Sequence, residues 1–315
     1  MEAGHAGLTF GFDLVQAGTD QRRGLVLKLA PPGVRRSGNT DVCRQIPLLR
    51  ALAAAGLPVP GVAHADAGEG WFGTPFIMME RLPGMPFFVW QPDPSFDRSS
   101  AAVTPLYEQT IDAMAALHRF DWQRHLPDWE APRELGDEIV RWDPILAKSP
   151  RPDWLASGRA VREALLATRP DGAPIGLVHG DCQPGNALFD GGRLTGLIDW
   201  ELASIGSRRI DAGWMMMLAD PASWPEGWRP CCPMTPAQVA ARYAHAMGEV
   251  CDDLSWYQAY AGYRLGAISC LNVHLHRSGR RPDAVWERFA LAIAPMFGRA
   301  AAILDRLPVT SEARR

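Results

Sequence analysis

Asp181, Asn186 and Asp199 are three oxygen-bearing side chains set close together in a chain of 315 residues. They lie in the segment from Leu177 to Glu201. An apolar strand ends at His179, a polar loop holds Asp181 and Asn186, and a short strand leads into a turn at Asp190–Arg193. A return strand from Leu194 to Ile198 ends at Asp199. Gly191 and Gly192 at the centre of the turn supply the positive φ that a tight hairpin needs. Folding about this pair sets residue 197 opposite 186, with Asp199 displaced by roughly 7 Å along the strand. Asn186 and Asp199 then project from one end of one hairpin, a geometry suited to sharing a cation. Magnesium takes hard oxygen ligands and is held by one or two protein groups plus substrate phosphates, which this pair would satisfy. Asp181, in the preceding loop, is placed to accept a proton from an incoming hydroxyl. Phosphoryl transfer asks for positioning and charge neutralisation, and the three groups together supply both.

The elements that must position these groups are legible around them. Leu8–Val15 and Leu25–Leu29 read as strands joined by a polar turn, a hairpin pattern. Asp41 to Ala55 has helical spacing of apolar residues, with Thr40 or Asp41 as the cap and Gly56 as the stop. Trp71 to Met79 reads as a further strand, closed by Leu82-Pro83-Gly84. Beyond Pro86 the pattern turns helical: Ser100–Phe120, Pro132–Ala147, Asp153–Thr168, Pro236–Gly248, Leu254–Arg277 and Pro282–Arg306. A loop rich in Pro and Trp runs from Asp220 to Pro236. The expected architecture is α+β, a small β-rich lobe and a larger helical lobe with an embedded hairpin.

His179-Gly180-Asp181-x-x-x-x-Asn186 followed by Ile198-Asp199-Trp200-Glu201 resembles the signature of the aminoglycoside phosphotransferase and choline kinase-like family. The spacing also parallels the catalytic-loop and metal-binding elements of protein kinases. The resemblance implies a bilobal protein-kinase-like fold with ATP between the lobes. The N-lobe would span residues 1–80, a hinge 81–86 and the helical C-lobe 87–315. It implies Asp181 as the catalytic base and Asn186 and Asp199 as the Mg²⁺ ligands, with Asp211 in a structural role. Lys28, a charge inside an apolar strand, would contact the ATP phosphates. Gly4 and Gly7, in Gly4-His5-Ala6-Gly7, resemble a short form of the loop that covers the phosphates. Backbone groups of Glu80 and Leu82 would border the adenine. His118 fits the family as a packing residue. Two departures stand out. The position that usually offers a glutamate to the lysine falls on Gln45, and the stretch after Asp-Trp-Glu reads Gly206-Ser207-Arg208-Arg209. Gln45 and the short stretch before the phosphate-covering loop favour the alternative, a nucleotide-binding pseudokinase; the intact Asp181, Asn186 and Asp199 favour the enzyme.

Composition bounds the partners. A formal net charge of −3 lacks the basic excess of a nucleic-acid binder. The six cysteines form no C-x-x-C pair, so neither a zinc site nor a disulfide framework is expected, and the chain reads as cytoplasmic. No stretch is apolar for long enough to span a membrane. The partner is expected to be a small-molecule hydroxyl acceptor; the sequence says nothing of oligomeric state. From Pro236 to Arg315 ten arginines face seven acidic residues, which argues against a polycationic aminoglycoside. Trp224, Trp228, Trp256, Tyr257, Tyr260 and Tyr263 suit an apolar or flat acceptor, or plain core packing. Arg208, Arg209, Arg280 and Arg281 are candidates for an anionic group on it. A hydroxyacyl thioester of coenzyme A, or another hydroxylated apolar metabolite, is the expected class.

Overall fold

A computed structural model describes residues 8–31, 33 and 38–308. The chain opens with β1 (Leu8–Val15) and β2 (Arg22–Leu29), then α1 (Gln45–Ala54), β3 (Val62–Asp66) and β4 (Phe76–Glu80). These strands form one antiparallel sheet in the order β1-β2-β4-β3. Central β2 buries Leu25 and Leu27, and its Lys28 pairs with Ile77 in register. α1 follows a 3-10 turn capped by Asp41, whose carboxylate accepts from Cys43 N at 3.0 Å. Leu48, Leu49 and Leu52, spaced for one helical face, are fully buried. The strand expected from Trp71 begins only at Phe76, because residues before it turn: Gly73, at φ +69°, donates to Glu69 O.

The helical part carries α2 (Ser100–His118), α3 (Trp122–His125), α4 (Leu135–Val140), α5 (Asp143–Leu146) and α6 (Pro152–Ala167). One helix was expected over Pro132–Ala147. Instead the chain breaks at Arg141-Trp142, where Pro144 lacks the N–H that a continuous helix needs and sits in the first turn of α5. α7 (Arg209–Ala219), α8 (Pro236–Met247), α9 (Leu254–Arg277) and α10 (Val285–Leu304) follow the hairpin region. α9 crosses the middle of this lobe, packed by α7 on one side and α10 on the other, and Trp256, Tyr257, Tyr260 and Tyr263 are all buried in it. Those four rings are core, not an open acceptor surface. No helix among the described residues is long and apolar enough to cross a membrane.

Two small sheets mount the chemistry. β5 (Met85–Pro86), β7 (Ala187–Asp190) and β8 (Arg193–Leu197) form one, in the order β5-β7-β8. β6 (Ile175–Val178) pairs with β9 (Ser204–Ser207) in the other. The chain leaving the first sheet is thus stitched to the hairpin at once, through Met85 opposite Phe189 and Pro86 opposite Leu188.

Candidate active site

The β7–β8 hairpin closes through Gly191 and Gly192 at φ 55° and 78°, as the two-residue turn demands. The expected register fails by one residue. Asp190 faces Arg193 and Phe189 faces Leu194, but Leu188 faces Gly196 and Ala187 faces Leu197. Thr195 is the extra residue of a bulge; its hydroxyl donates to Pro83 O at 2.6 Å and lies 3.2 Å from Leu188 O. Ile198 N therefore donates to Asn186 O at 2.9 Å, and Asp199 follows directly beside Asn186.

Asp199 sits at φ 65°, ψ 60°, and among the described residues it alone combines a side chain with positive φ. Such strain is held by its surroundings and is common at functional sites. Its carboxylate, 43% exposed, turns toward the cleft and accepts from Lys28 Nζ at 3.3 Å. Lys28 also donates to Glu201 Oε2 at 3.0 Å. Burial alone would push the Lys28 pKa down, but the charges of Asp199 and Glu201 outweigh it and raise it. Burial and the neighbouring Asp199 raise Glu201, against the pull of Lys28.

Asp181 is half-buried between two amides. Gln183 Nε2 donates to its Oδ1 at 3.1 Å, and Asn186 Nδ2 donates to its Oδ2 at 2.9 Å and to its backbone oxygen at 2.8 Å. Burial, then the charge of Asp199, push its pKa up to about 7; Arg264, Asn186 and Gln183 oppose the rise. Asn186 spends its amide nitrogen on Asp181, so its side-chain oxygen has no hydrogen-bond partner among the described residues, one residue across the hairpin from Asp199. One amide oxygen and one carboxylate make the hard-oxygen pair that magnesium accepts, so these residues fit the ion.

Asp211 fixes the loop that carries Asp181. Wholly buried, it accepts from His179 N at 2.7 Å, Gly180 N at 2.8 Å and His118 Nε2 at 3.1 Å. Burial would raise its pKa, yet the His118 hydrogen bond and the backbone donors hold it below the usual carboxylate range. The His118 ring is held on its other side by Tyr243 OH at 2.9 Å, as expected of a packing histidine. His179 is kept neutral by burial. Its Nε2 donates to Ile198 O at 2.9 Å and its Nδ1 accepts from Asp181 N at 3.3 Å, which ties loop to hairpin. Gly180, at φ +89°, has no room for a side chain, since a Cβ would lie 2.5 Å from Leu202 O.

Gly4 and Gly7 lie outside the described residues. Glu80 spends its backbone N–H on Gly61 O at 2.8 Å, while the Leu82 N–H has no partner among the described residues. Gln45 is buried at 2% exposure, but it does not meet Lys28: its Nε2 has no partner among the described residues, and Lys28 instead spans to Asp199 and Glu201. The arginines expected to meet an anionic acceptor are partly spent. Arg208 pairs with Glu249 at 2.7 Å, and Arg209 with Asp253 at 2.6 Å.

Other residues escaped the sequence. Gln183 fell on an unspecified position of the signature, and Glu201 was quoted in it without a role. Arg44 holds α1 to the other lobe: it pairs with Glu130, donates to Ala203 O, and lies over the Trp129 ring at 4.8 Å. Beneath the loop, Glu138 accepts from Arg133 at 2.9 Å, Arg141 at 3.0 Å, Trp142 at 3.3 Å and Tyr260. Charges in isolated helical patterns carried no signal for such a network.

With this arrangement in place, comparison with known proteins defines the class. Residues 7–263 match the model of the phosphotransferase enzyme family, and the chain belongs to that family of small-molecule kinases. Among curated relatives, mouse acyl-CoA dehydrogenase family member 10 is 28% identical over 262 residues, covering 78% of this chain and 24% of the relative. The chain thus spans about a quarter of that protein's length. Among solved structures, a Ralstonia eutropha protein provisionally assigned as an aminoglycoside phosphotransferase superposes with a TM-score of 0.79 at 21% identity, covering 97% of this chain and 91% of that one. A thermostable mutant of the aminoglycoside phosphotransferase APH(4)-Ia, in ternary complex with AMP-PNP and hygromycin B, gives a TM-score of 0.62 at 19% identity, covering 97% and 92%. The expected bilobal kinase-like α+β fold is the fold observed.

Proposed function

We propose that this chain transfers the γ-phosphoryl group of ATP to a hydroxyl of a small molecule, with Asp181 as the base. The observation that carries this reading is the arrangement around Asp181. Its carboxylate is steadied by Gln183 and Asn186, and the same Asn186 accepts on its backbone oxygen from Ile198 N, the neighbour of Asp199. Asn186 and Asp199 would hold Mg²⁺, which when bound neutralises charge on the nucleotide phosphates. Lys28 would contact those phosphates, leaving its contacts with Asp199 and Glu201. Gly4 and Gly7 would cover them. The Glu80 carbonyl and the Leu82 N–H would meet the adenine. In this reading residues 1–80 form the nucleotide-covering lobe, 81–86 the hinge and 87–315 the acceptor-binding lobe. Asp181 accepts the proton of the acceptor hydroxyl as its oxygen bonds to the γ-phosphorus. The bond between that phosphorus and the β–γ bridging oxygen breaks, and ADP leaves.

The acceptor in this reading is a hydroxyacyl thioester of coenzyme A. The relative that shares 28% identity joins a segment like this one to a protein named an acyl-CoA dehydrogenase. The excess of arginine over acid after Pro236 supports the same class and disfavours an aminoglycoside. Incubation with Mg-ATP and hydroxybutyryl-CoA, followed by mass spectrometry, tests it. A product heavier by one phosphoryl group is expected. No phosphorylated thioester, with efficient phosphorylation of kanamycin instead, would overturn the acceptor assignment.

A further inference from the structure

Arg264 stands apart from the other buried charges of the helical lobe. It lies on α9 at 3% exposure. Its guanidinium is layered between two indoles, 5.1 Å from the Trp142 ring and 5.1 Å from the Trp214 ring. Two rings thus crowd the guanidinium, and the edge of the fork, where the N–H groups point, remains for a partner. Among the described residues no hydrogen bond or ion pair reaches it, and its buried Nε has no partner. The nearby Glu138 does not fill the role, because its oxygens are taken by Arg133, Arg141, Trp142 and Tyr260. Trp214, one of the two flanking indoles, likewise has a buried N–H without a partner. Two neighbouring donors are thus buried and unsatisfied, one of them charged, and Glu138 offers no spare oxygen. A buried donor left unmatched is costly, and a buried charge more so. Arg264 is also close to the loop that carries Asp181: Trp214, over which it lies, is one helical turn beyond Asp211 on α7, and Asp211 holds the backbone of His179 and Gly180.

We propose that Arg264, flanked by Trp142 and Trp214, is the acceptor-binding residue, and that its free edge hydrogen-bonds an acyl oxygen of the acceptor, so that the hydroxyl lies at Asp181. This deepens the proposed function and rests on it for the identity of the site. The recognised chemistry is an oxygen acceptor of carbonyl or carboxylate type, held at the edge of the guanidinium. A planar fork between two rings suits such an oxygen better than an alcohol, which brings its own donor. A free hydroxy acid and a hydroxyacyl thioester both carry the group, and the test separates them.

The test crosses two proteins with three acceptors. The parent and Arg264→Lys are assayed for Mg-ATP-dependent phosphorylation of hydroxybutyryl-CoA, hydroxybutyrate and butanediol, and for the thermal shift each compound produces. Arg264→Lys keeps the charge and the fit between the rings but loses the fork. It should lower kcat/KM for acceptors with an acyl oxygen by about 10- to 100-fold, the range of a hydrogen bond to a charged group. The loss should lie mainly in KM and be clearly smaller for butanediol, which lacks the acyl oxygen. The parent alone should favour the acyl acceptors over butanediol by a similar factor, which keeps the proposal testable if the variant does not fold. A preference for the thioester over the free acid would assign the carbonyl, and the reverse the carboxylate. Equal losses on all three acceptors, or a parent indifferent to the acyl oxygen in both turnover and thermal shift, would overturn the proposal. Selective binding abolished by Arg264→Lys, without any phosphoryl transfer, would support the role of Arg264 while overturning the proposed reaction.

Discussion

Asp211→Asn is the substitution that most directly loads the frame under the loop that carries Asp181. The carboxylate accepts three hydrogen bonds in a fully buried setting: from His179 N and Gly180 N, one on each oxygen, and from His118 Nε2. An asparagine keeps one oxygen and puts an NH₂ group where the other was. Whichever way it turns, one backbone N–H of the loop faces a donor. Orphaning that N–H costs about 1–3 kcal/mol, and the bonds that remain fall from charge-assisted to neutral, so about 2–5 kcal/mol is expected in all. Against a typical net stability of about 5–15 kcal/mol this is large but survivable. Urea unfolding of parent and variant measures it, and turnover measured alongside should fall, because the displaced backbone carries Asp181. The pH dependence gives a second check. The folded pKa of Asp211 lies below its unfolded value, so its contribution is complete above about pH 4 and is lost as the pH falls through the folded pKa. The stability gap between parent and variant should therefore narrow in acid. A difference under about 1 kcal/mol at neutral pH, with unchanged turnover, would refute the assignment of Asp211 as the anchor of the loop.

Asp199→Ala should abolish magnesium-dependent ATP binding in calorimetry while Asn186→Ala only weakens it, since one brings a full charge and the other a dipole; unchanged affinity in both would remove the metal assignment. Gln45→Met should be neutral or stabilising, because the buried amide nitrogen it removes has no partner among the described residues. A fall in Tm of more than about 4 °C would mean that the amide is satisfied in solution.

The sequence exposed the hairpin, the loop that carries Asp181 and the two-part architecture because short-range rules fix them. Glycines at 191 and 192 set the turn, and the polar spacing from Asp181 to Asp199 survives folding unchanged. The bulge at Thr195 was hidden, since it depends on the Pro83 carbonyl that the hydroxyl meets across the link between the lobes. α7 was missed for a different reason. Every residue from Ile210 to Ala219 is buried, so the helix has no polar face and no period to read. Lys28 was legible as an out-of-place charge, but its partners were not. They lie 171 and 173 residues away, and only the closing of one lobe on the other selects Asp199 and Glu201 over Gln45. Arg264 fell inside the expected helix Leu254–Arg277 with nothing to set it apart. That it is layered between Trp142 and Trp214 is a property of three separate elements, and no local pattern records it.

The central claim is that Asp181 takes the proton of an acceptor hydroxyl while ATP gives up its γ-phosphoryl group. Its most direct test compares the parent with Asp181→Asn for Mg-ATP-dependent transfer of labelled phosphate to hydroxybutyryl-CoA, with ATP affinity measured on the same samples. Asparagine preserves the shape of the side chain but cannot accept the proton. The account predicts near-parent nucleotide affinity and a rate lower by about 10²- to 10⁴-fold. Transfer by Asp181→Asn at the parent rate would contradict it.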